Sequence, residues 1–252
     1  MTILHAEVSG PPGAPVLVLG GSLGTTLDMW QPLLDELGGG YRVLRYDHRG
    51  HGGSPVPPGP YTVDELGRDV LALLDARGLD RVLYCGLSLG GMVGMWLAAH
   101  APERIERLAL LCTAAYLPAG QGYRDRAAQV RAAGVGSVAE AVLARWFTVR
   151  YLARHDVAGY RAMLAGTPAE GYAGCCEAIA AMDLRPVLPR IVAPTLVVSG
   201  SDDPAIPPPF GEQIAAAVPG ARFEALDDAA HLAAVEQPGA VARLLRQHLT
   251  VE

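Results

Sequence analysis

Short, continuously apolar runs recur along this chain, separated by longer stretches in which apolar residues return every three or four positions. Pro15–Leu19, Tyr41–Tyr46, Arg81–Gly86, Ile105–Thr113 and Ala193–Gly200 have the length and composition of strands buried on both faces. Residues 2–8 predict an edge strand, Gly10–Gly13 a turn, and Ala221–Ala225 a last strand. Helical periodicity falls between them, near 28–37, over 90–100, over Pro208–Val218 and from Val235 to about Leu249. A further helix opens at Thr62, where Thr62 and Glu65 have capping-box spacing, and Leu66, Val70, Leu71, Leu73 and Leu74 share one face. Strand and helix alternating in this way predict an α/β fold, with a mostly parallel central sheet wound by right-handed crossovers and flanked by helices.

The rhythm breaks once. From about residue 114 to 185 there is no strand-like run; alanine, glycine and arginine dominate, in amphipathic pieces such as Ala127–Ala133, Val138–Phe147 and Tyr172–Met182. The pattern predicts a helical cap over 114–185 inserted into a core made of 1–113 and 186–252.

Composition narrows the class. At 252 residues, half of them hydrophobic, the chain can bury the core of one α/β domain with an inserted subdomain. A formal net charge of −6 argues against a nucleic-acid partner, and an anionic substrate would need a local basic group. Cys85 and Cys112 lie in apolar runs, the adjacent Cys175 and Cys176 have poor disulfide geometry, and none of the four has metal or redox spacing. There is no basic stretch followed by an apolar one at the N-terminus, and no apolar run approaches about eighteen residues. The expectation is a soluble, cytoplasmic protein, without membrane contact and without metal or organic cofactor. Its oligomeric state is open.

The chemistry centres on two copies of one pattern. Gly86-Leu87-Ser88-Leu89-Gly90 and Gly20-Gly21-Ser22-Leu23-Gly24 both fit G-x-S-x-G, the turn that presents a nucleophilic serine between a strand and a helix. Ser88 enters a helical pattern at once, whereas Ser22 is followed by the polar Thr25-Thr26 before any helix begins. Ser88 is therefore the expected nucleophile. A serine needs a base oriented by an acid, and in this turn's fold the chain order is Ser, acid, His. Of His100, His155, His231 and His248, only His231 sits in a loop just after a strand. The Gly200–Pro207 loop offers Asp202 and Asp203. Asp203 is favoured because three residues beyond the glycine can aim it back over the sheet edge; Asp227 and Asp228 are outsiders. The Leu89 N–H, next after the nucleophile, is an expected oxyanion donor.

At these positions the whole chain resembles the α/β-hydrolase superfamily. Gly200-x-x-Asp203-x-x-x-Pro207 is similar to its acid loop, His231-x-x-x-x-Glu236-x-Pro238 to its histidine loop, and Asp47-His48-Arg49-Gly50-His51-Gly52-Gly53-Ser54 to the loop before the elbow strand. The resemblance implies a cap inserted after the sixth strand and a structural role for His48 and His51. Ser22-Leu23-Gly24-Thr25 with Leu27-Asp28-Met29-Trp30, together with Arg145-Trp146-Phe147, resembles the 3-oxoadipate enol-lactonases of the β-ketoadipate pathway. Where Gly21 stands, many relatives carry a polar residue or histidine. This resemblance implies Ser88, Asp203 and His231 as catalytic triad and acyl-enzyme chemistry. It also implies Leu23, with Ser22 as alternative, as second oxyanion donor, and a small anionic lactone as substrate. Arg145 beside Trp146 is the first candidate for the substrate carboxylate, followed by Arg150 and Arg131; Trp146 and Phe147 equally suit the cap core. Competing readings are a carboxylesterase, C–C hydrolase or perhydrolase of the same fold, and a hydrolase-fold binding protein without chemistry.

Overall fold

A computed structural model describes residues 3–118 and 120–250. Seven strands form one sheet: β1 (Ala6–Ser9), β2 (Val16–Gly20), β3 (Arg42–Tyr46), β4 (Val82–Leu87), β5 (Ile105–Leu111), β6 (Thr195–Gly200) and β7 (Arg222–Leu226). Their order is β1-β3-β2-β4-β5-β6-β7, with only β1 antiparallel to its neighbour. Helices α1 (Gln31–Leu37), α2 (Val63–Ala76) and α3 (Leu89–His100) lie between the early strands, and α4 (Gly120–Ala133), α5 (Ala139–Trp146), α6 (Val149–Leu152), α7 (Ala158–Ala165) and α8 (Ala169–Ala181) between β5 and β6. The last three are α9 (Pro208–Ala217), α10 (Ala233–Glu236) and α11 (Pro238–Leu249).

The apolar runs become the central strands for the reason they were recognisable. Leu17, Val18 and Leu19 of β2 and the whole of β4 are buried because helices cover both faces. Each such aliphatic side chain contributes about 1.5–3 kcal/mol on leaving water. α2 begins as its sequence required, with Thr62 and Glu65 forming a reciprocal capping box. Its Leu66, Val70, Leu73 and Leu74 are buried, while Leu71 is only half-buried at the edge of the stripe. α3 is buried almost all round and carries no amphipathic pattern, since it lies directly on the sheet.

Three expectations need correction. The helical segment follows the fifth strand, not the sixth, because the chain before Val16 supplies a single described strand. That strand starts at Ala6 rather than near residue 2; Thr2 lies outside the described residues, and Ile3–His5 precede the strand, with His5 O accepting the Asp47 N–H at 3.0 Å. β5 ends at Leu111 rather than Thr113 because Cys112 takes φ +46°, which extended backbone does not allow.

The two ends of the segment between β5 and β6 are stitched together by an antiparallel bridge, Tyr116 to Asp183, and by Leu184 N–H donating to Ala115 O at 2.8 Å. All four cysteines are buried and free. Among the described residues no helix is long and apolar enough to cross a membrane.

Candidate active site

Ser88 sits where β4 turns into α3, at φ 56° and ψ −112°. For a residue with a side chain this is a strained conformation, costing on the order of 1–3 kcal/mol, and it persists only where its surroundings over-determine it. They do. Ser88 N–H donates to Leu111 O (2.9 Å), while its carbonyl accepts from Thr113 Oγ1 (2.7 Å) and from Met92 N–H (3.0 Å). A Cβ at Gly86 would run into the backbone of Gly90 and Gly91, and one at Gly90 into the backbone of Gly20. Only glycine fits at either place.

His231 comes from the loop after β7 and Asp203 from the loop after β6. Ser88 Oγ donates to His231 Nε2 at 2.8 Å, and His231 Nδ1 donates to Asp203 Oδ2 at 2.8 Å. Asp203 is buried and fixed from behind, its Oδ1 accepting the N–H groups of Ala205 (2.8 Å) and Ile206 (3.0 Å). Asp202 is exposed and turned away, and Asp228 pairs with Arg150 at the surface. The other three downstream histidines are elsewhere: His100 stacks on Trp96, His155 on Tyr151, and His248 bonds Leu108 O.

The second G-x-S-x-G copy lies beside the first. β2 and β4 are parallel neighbours in which Gly20 pairs with Gly86, so the two copies leave the sheet in register. Gly90 N–H donates to Gly21 O at 2.9 Å and ties them together. Ser22 spends its N–H on Met29 Sδ (3.4 Å), and its carbonyl accepts from Thr25 N–H and Oγ1, whereas the Leu23 N–H has no partner among the described residues. Leu89 is the first residue of α3, where N–H groups have no helical partner. At Gly21 an added Cβ would press on Thr25 Oγ1 and Met29 Sδ, so a larger residue there requires those two side chains to shift.

His48 and His51 grip this loop. His48 donates Nε2–H to Gly21 O (3.1 Å), and His51 Nε2 accepts Gly24 N–H (2.9 Å) while its Nδ1–H donates to Arg49 O (3.2 Å). The His51 contact requires a neutral ring, because an imidazolium has no lone pair left to accept the Gly24 N–H, and both rings are neutral here. Burial holds them so, lowering His48 to about 3 with the help of neighbouring His51, and lowering His51 as well. Neither ring reaches a metal-like cluster; among the described residues no group of His, Cys, Asp and Glu could hold one.

Ser22, Leu23, Ser88 and His231 open on a small cavity roofed by Tyr123, Arg126, Val142, Arg145, Trp146, Tyr172 and Ile179. Arg145 and Trp146 reach it; Arg131 and Arg150 do not. Arg131 lies between Glu170 and Glu177, and Arg150 is spent on Asp228. Sequence reasoning missed Arg126, which lies over the Tyr123 ring (5.1 Å to its centroid), lines the cavity and forms no ion pair among the described residues. Tyr123, Ala127 and Val130 share its helix, and their apolar spacing was the one available hint that α4 turns this face inward.

A hydroxyl activated by an oriented imidazole, beside two free backbone N–H groups and under two guanidinium groups, can attack a carbonyl carbon and hold the resulting oxyanion. Residues 14–238 match the sequence profile of the alpha/beta hydrolase fold. The chain is 41% identical to 3-oxoadipate enol-lactonase 2 of Acinetobacter baylyi, over 94% of its own length and 89% of the relative's. Among solved structures, an enol-lactonase from Burkholderia xenovorans is 45% identical with a TM-score of 0.96, covering 99% of this chain and 97% of that one. A hydrolase from Pseudomonas aeruginosa is 46% identical with a TM-score of 0.94, covering 98% and 94%.

Proposed function

The chain belongs to the α/β-hydrolase family, and from that premise we propose that it is a cytoplasmic serine hydrolase opening 3-oxoadipate enol-lactone to 3-oxoadipate in the β-ketoadipate pathway. The observation that carries this reading is the cavity itself, where the Ser88–His231–Asp203 hydrogen-bond chain meets two arginines that have no carboxylate of their own. In a protein of net charge −6, guanidinium groups left unpaired beside a nucleophile suit a substrate that brings its own carboxylate. Two of the relatives carry the matching name, the Acinetobacter baylyi protein as a 3-oxoadipate enol-lactonase and the Burkholderia xenovorans protein as an enol-lactonase.

In this mechanism Ser88 Oγ attacks the lactone carbonyl as His231 Nε2 takes its proton, and Asp203 keeps the imidazole in the tautomer that can accept it. The Leu89 and Leu23 N–H groups receive the developing oxyanion. Collapse releases the ring oxygen as an enol, which tautomerises to the ketone; the leaving group is good, so His231 need only return its proton. Water activated by His231 then cleaves the Ser88 ester. Residues 114–185 act as the cap, with Arg126 the main carboxylate anchor, Arg145 beside it at the cavity rim and Trp146 forming the wall.

The test is a spectrophotometric assay of lactone opening beside hydrolysis of a neutral aryl ester, for wild type and Arg126→Ala. Losing a charge-assisted hydrogen bond worth about 1.5–3 kcal/mol should raise KM for the anionic lactone about tenfold to a hundredfold and leave the neutral ester within about twofold. Ester hydrolysis without lactone turnover in wild type contradicts the substrate assignment; equal losses on both substrates remove Arg126 from the anchor role.

A further inference from the structure

Glu236 lies outside the Ser88–His231–Asp203 chain, yet it fastens two parts of the molecule that the reaction must hold together. Its Oε2 accepts the N–H of Ala230, the residue just before His231, at 2.5 Å. Its Oε1 accepts Thr148 N–H at 2.8 Å and Thr148 Oγ1–H at 2.9 Å. Thr148 is the N-cap of α6 and stands two residues beyond the end of α5. On the other side of His231, Leu232 N–H donates to Trp146 O at 2.9 Å. Both sequence neighbours of His231 are thus bound to the α5–α6 junction, one directly and one through Glu236.

That junction is also part of the cavity, since Arg145 and Trp146 belong to its last turn. A lactone reaching Ser88 lies against the Arg145–Trp146 turn that roofs the cavity. Substrate entry therefore bears on the roof, and on the α5–α6 junction that carries it. A loop hung on that junction moves when the roof moves and is reset when it closes.

We propose that Glu236 is a positioning residue that couples the α5–α6 junction to His231, so that the imidazole reaches Ser88 only when the roof is seated. The proposal rests on the reading of Ser88 and His231 as nucleophile and base. An ionised carboxylate suits the task because it accepts all three donors at once through charge-assisted bonds. Glutamine cannot, since its amide nitrogen would face an N–H and one arm of the link would be lost.

The experiment measures kcat and KM for the lactone in wild type, Glu236→Gln, Thr148→Val and the double variant. Each rate is divided by the concentration of sites titrated with a fluorophosphonate, so misfolded protein drops out. Glu236→Gln should lower kcat per titrated site about tenfold or more, the scale of an ångström-level misplacement, with KM within about twofold. Thr148→Val, which trims the same link far from His231, should cost a few-fold, and the double variant should fall no further than Glu236→Gln alone. An unchanged kcat per titrated site in Glu236→Gln, or losses that simply add in the double variant, would overturn the coupling. If Glu236→Gln does not fold, a wild-type kcat in Thr148→Val overturns it equally. Wild type that the fluorophosphonate does not titrate would sink the serine-hydrolase reading instead, which separates the two failures.

Discussion

The two G-x-S-x-G segments differ in what surrounds them far more than in what they contain. Gly20–Gly24 and Gly86–Gly90 leave neighbouring parallel strands in register, at equal height on the same edge of the sheet. The second passes without pause into α3, which forces Ser88 to φ 56° and aims its hydroxyl at His231. The first runs into a loop held by Met29, Thr25, His48 and His51, so Ser22 keeps ordinary backbone angles and has no base to meet. A motif is thus a local permission, and the element that follows it decides how it is used. Under the proposed mechanism their adjacency also has a purpose, because the loop of one copy would offer the Leu23 N–H to the oxyanion that forms when the serine of the other attacks.

The comparison can be broken most sharply by kinetics. Ser88→Ala should lower kcat by on the order of 10⁴-fold or more, as loss of a nucleophile does elsewhere, whereas Ser22→Ala should stay within about threefold. Steady-state rates on the lactone decide it, and comparable losses would erase the distinction between the copies.

A smaller effect probes how the first copy is held. His48 remains uncharged in the fold down to about pH 3, chiefly because it is buried, whereas in the unfolded chain it takes a proton near pH 6.5. Between those values the unfolded state binds more protons. The stability this ring supports is therefore whole above about pH 6.5 and is lost progressively as pH falls toward 3. By pH 5 the loss is about 2 kcal/mol. Urea unfolding at about pH 7.5 and pH 5 should show a drop that is smaller by about that amount in His48→Asn than in wild type. Equal drops in the two proteins would mean that protonation of this ring does not loosen the loop.

Most of this architecture was legible because burial on both faces writes itself into a strand as an unbroken apolar run, as in Val16–Leu19 and Val82–Leu87. The elbow was legible for a steric reason, glycine being the only residue that fits at 86 and 90. Asp203 could be preferred to Asp202 from spacing alone, since one residue reverses which way a loop side chain faces. Arg126 could not be found this way. Arg124, Arg126 and Arg131 all lie on α4, and only the packing of that helix decides that Arg126 lines the cavity while Arg131 is spent on Glu170 and Glu177 and Arg124 on the Gln121 side chain. The short helices α6 and α7 were missed because four to eight residues carry too little periodicity to read. The register of Gly20 with Gly86 was hidden for a related reason, since it depends on β2 and β4 being neighbours in a sheet whose order differs from that of the chain.

Which serine carries the chemistry is read directly by covalent labelling. Wild-type protein treated with a fluorophosphonate, digested and mapped by mass spectrometry should carry one adduct, on the peptide containing Ser88, with Ser22 unmodified and no adduct in Ser88→Ala. An adduct on Ser22, or none on Ser88, would contradict Ser88 as the nucleophile.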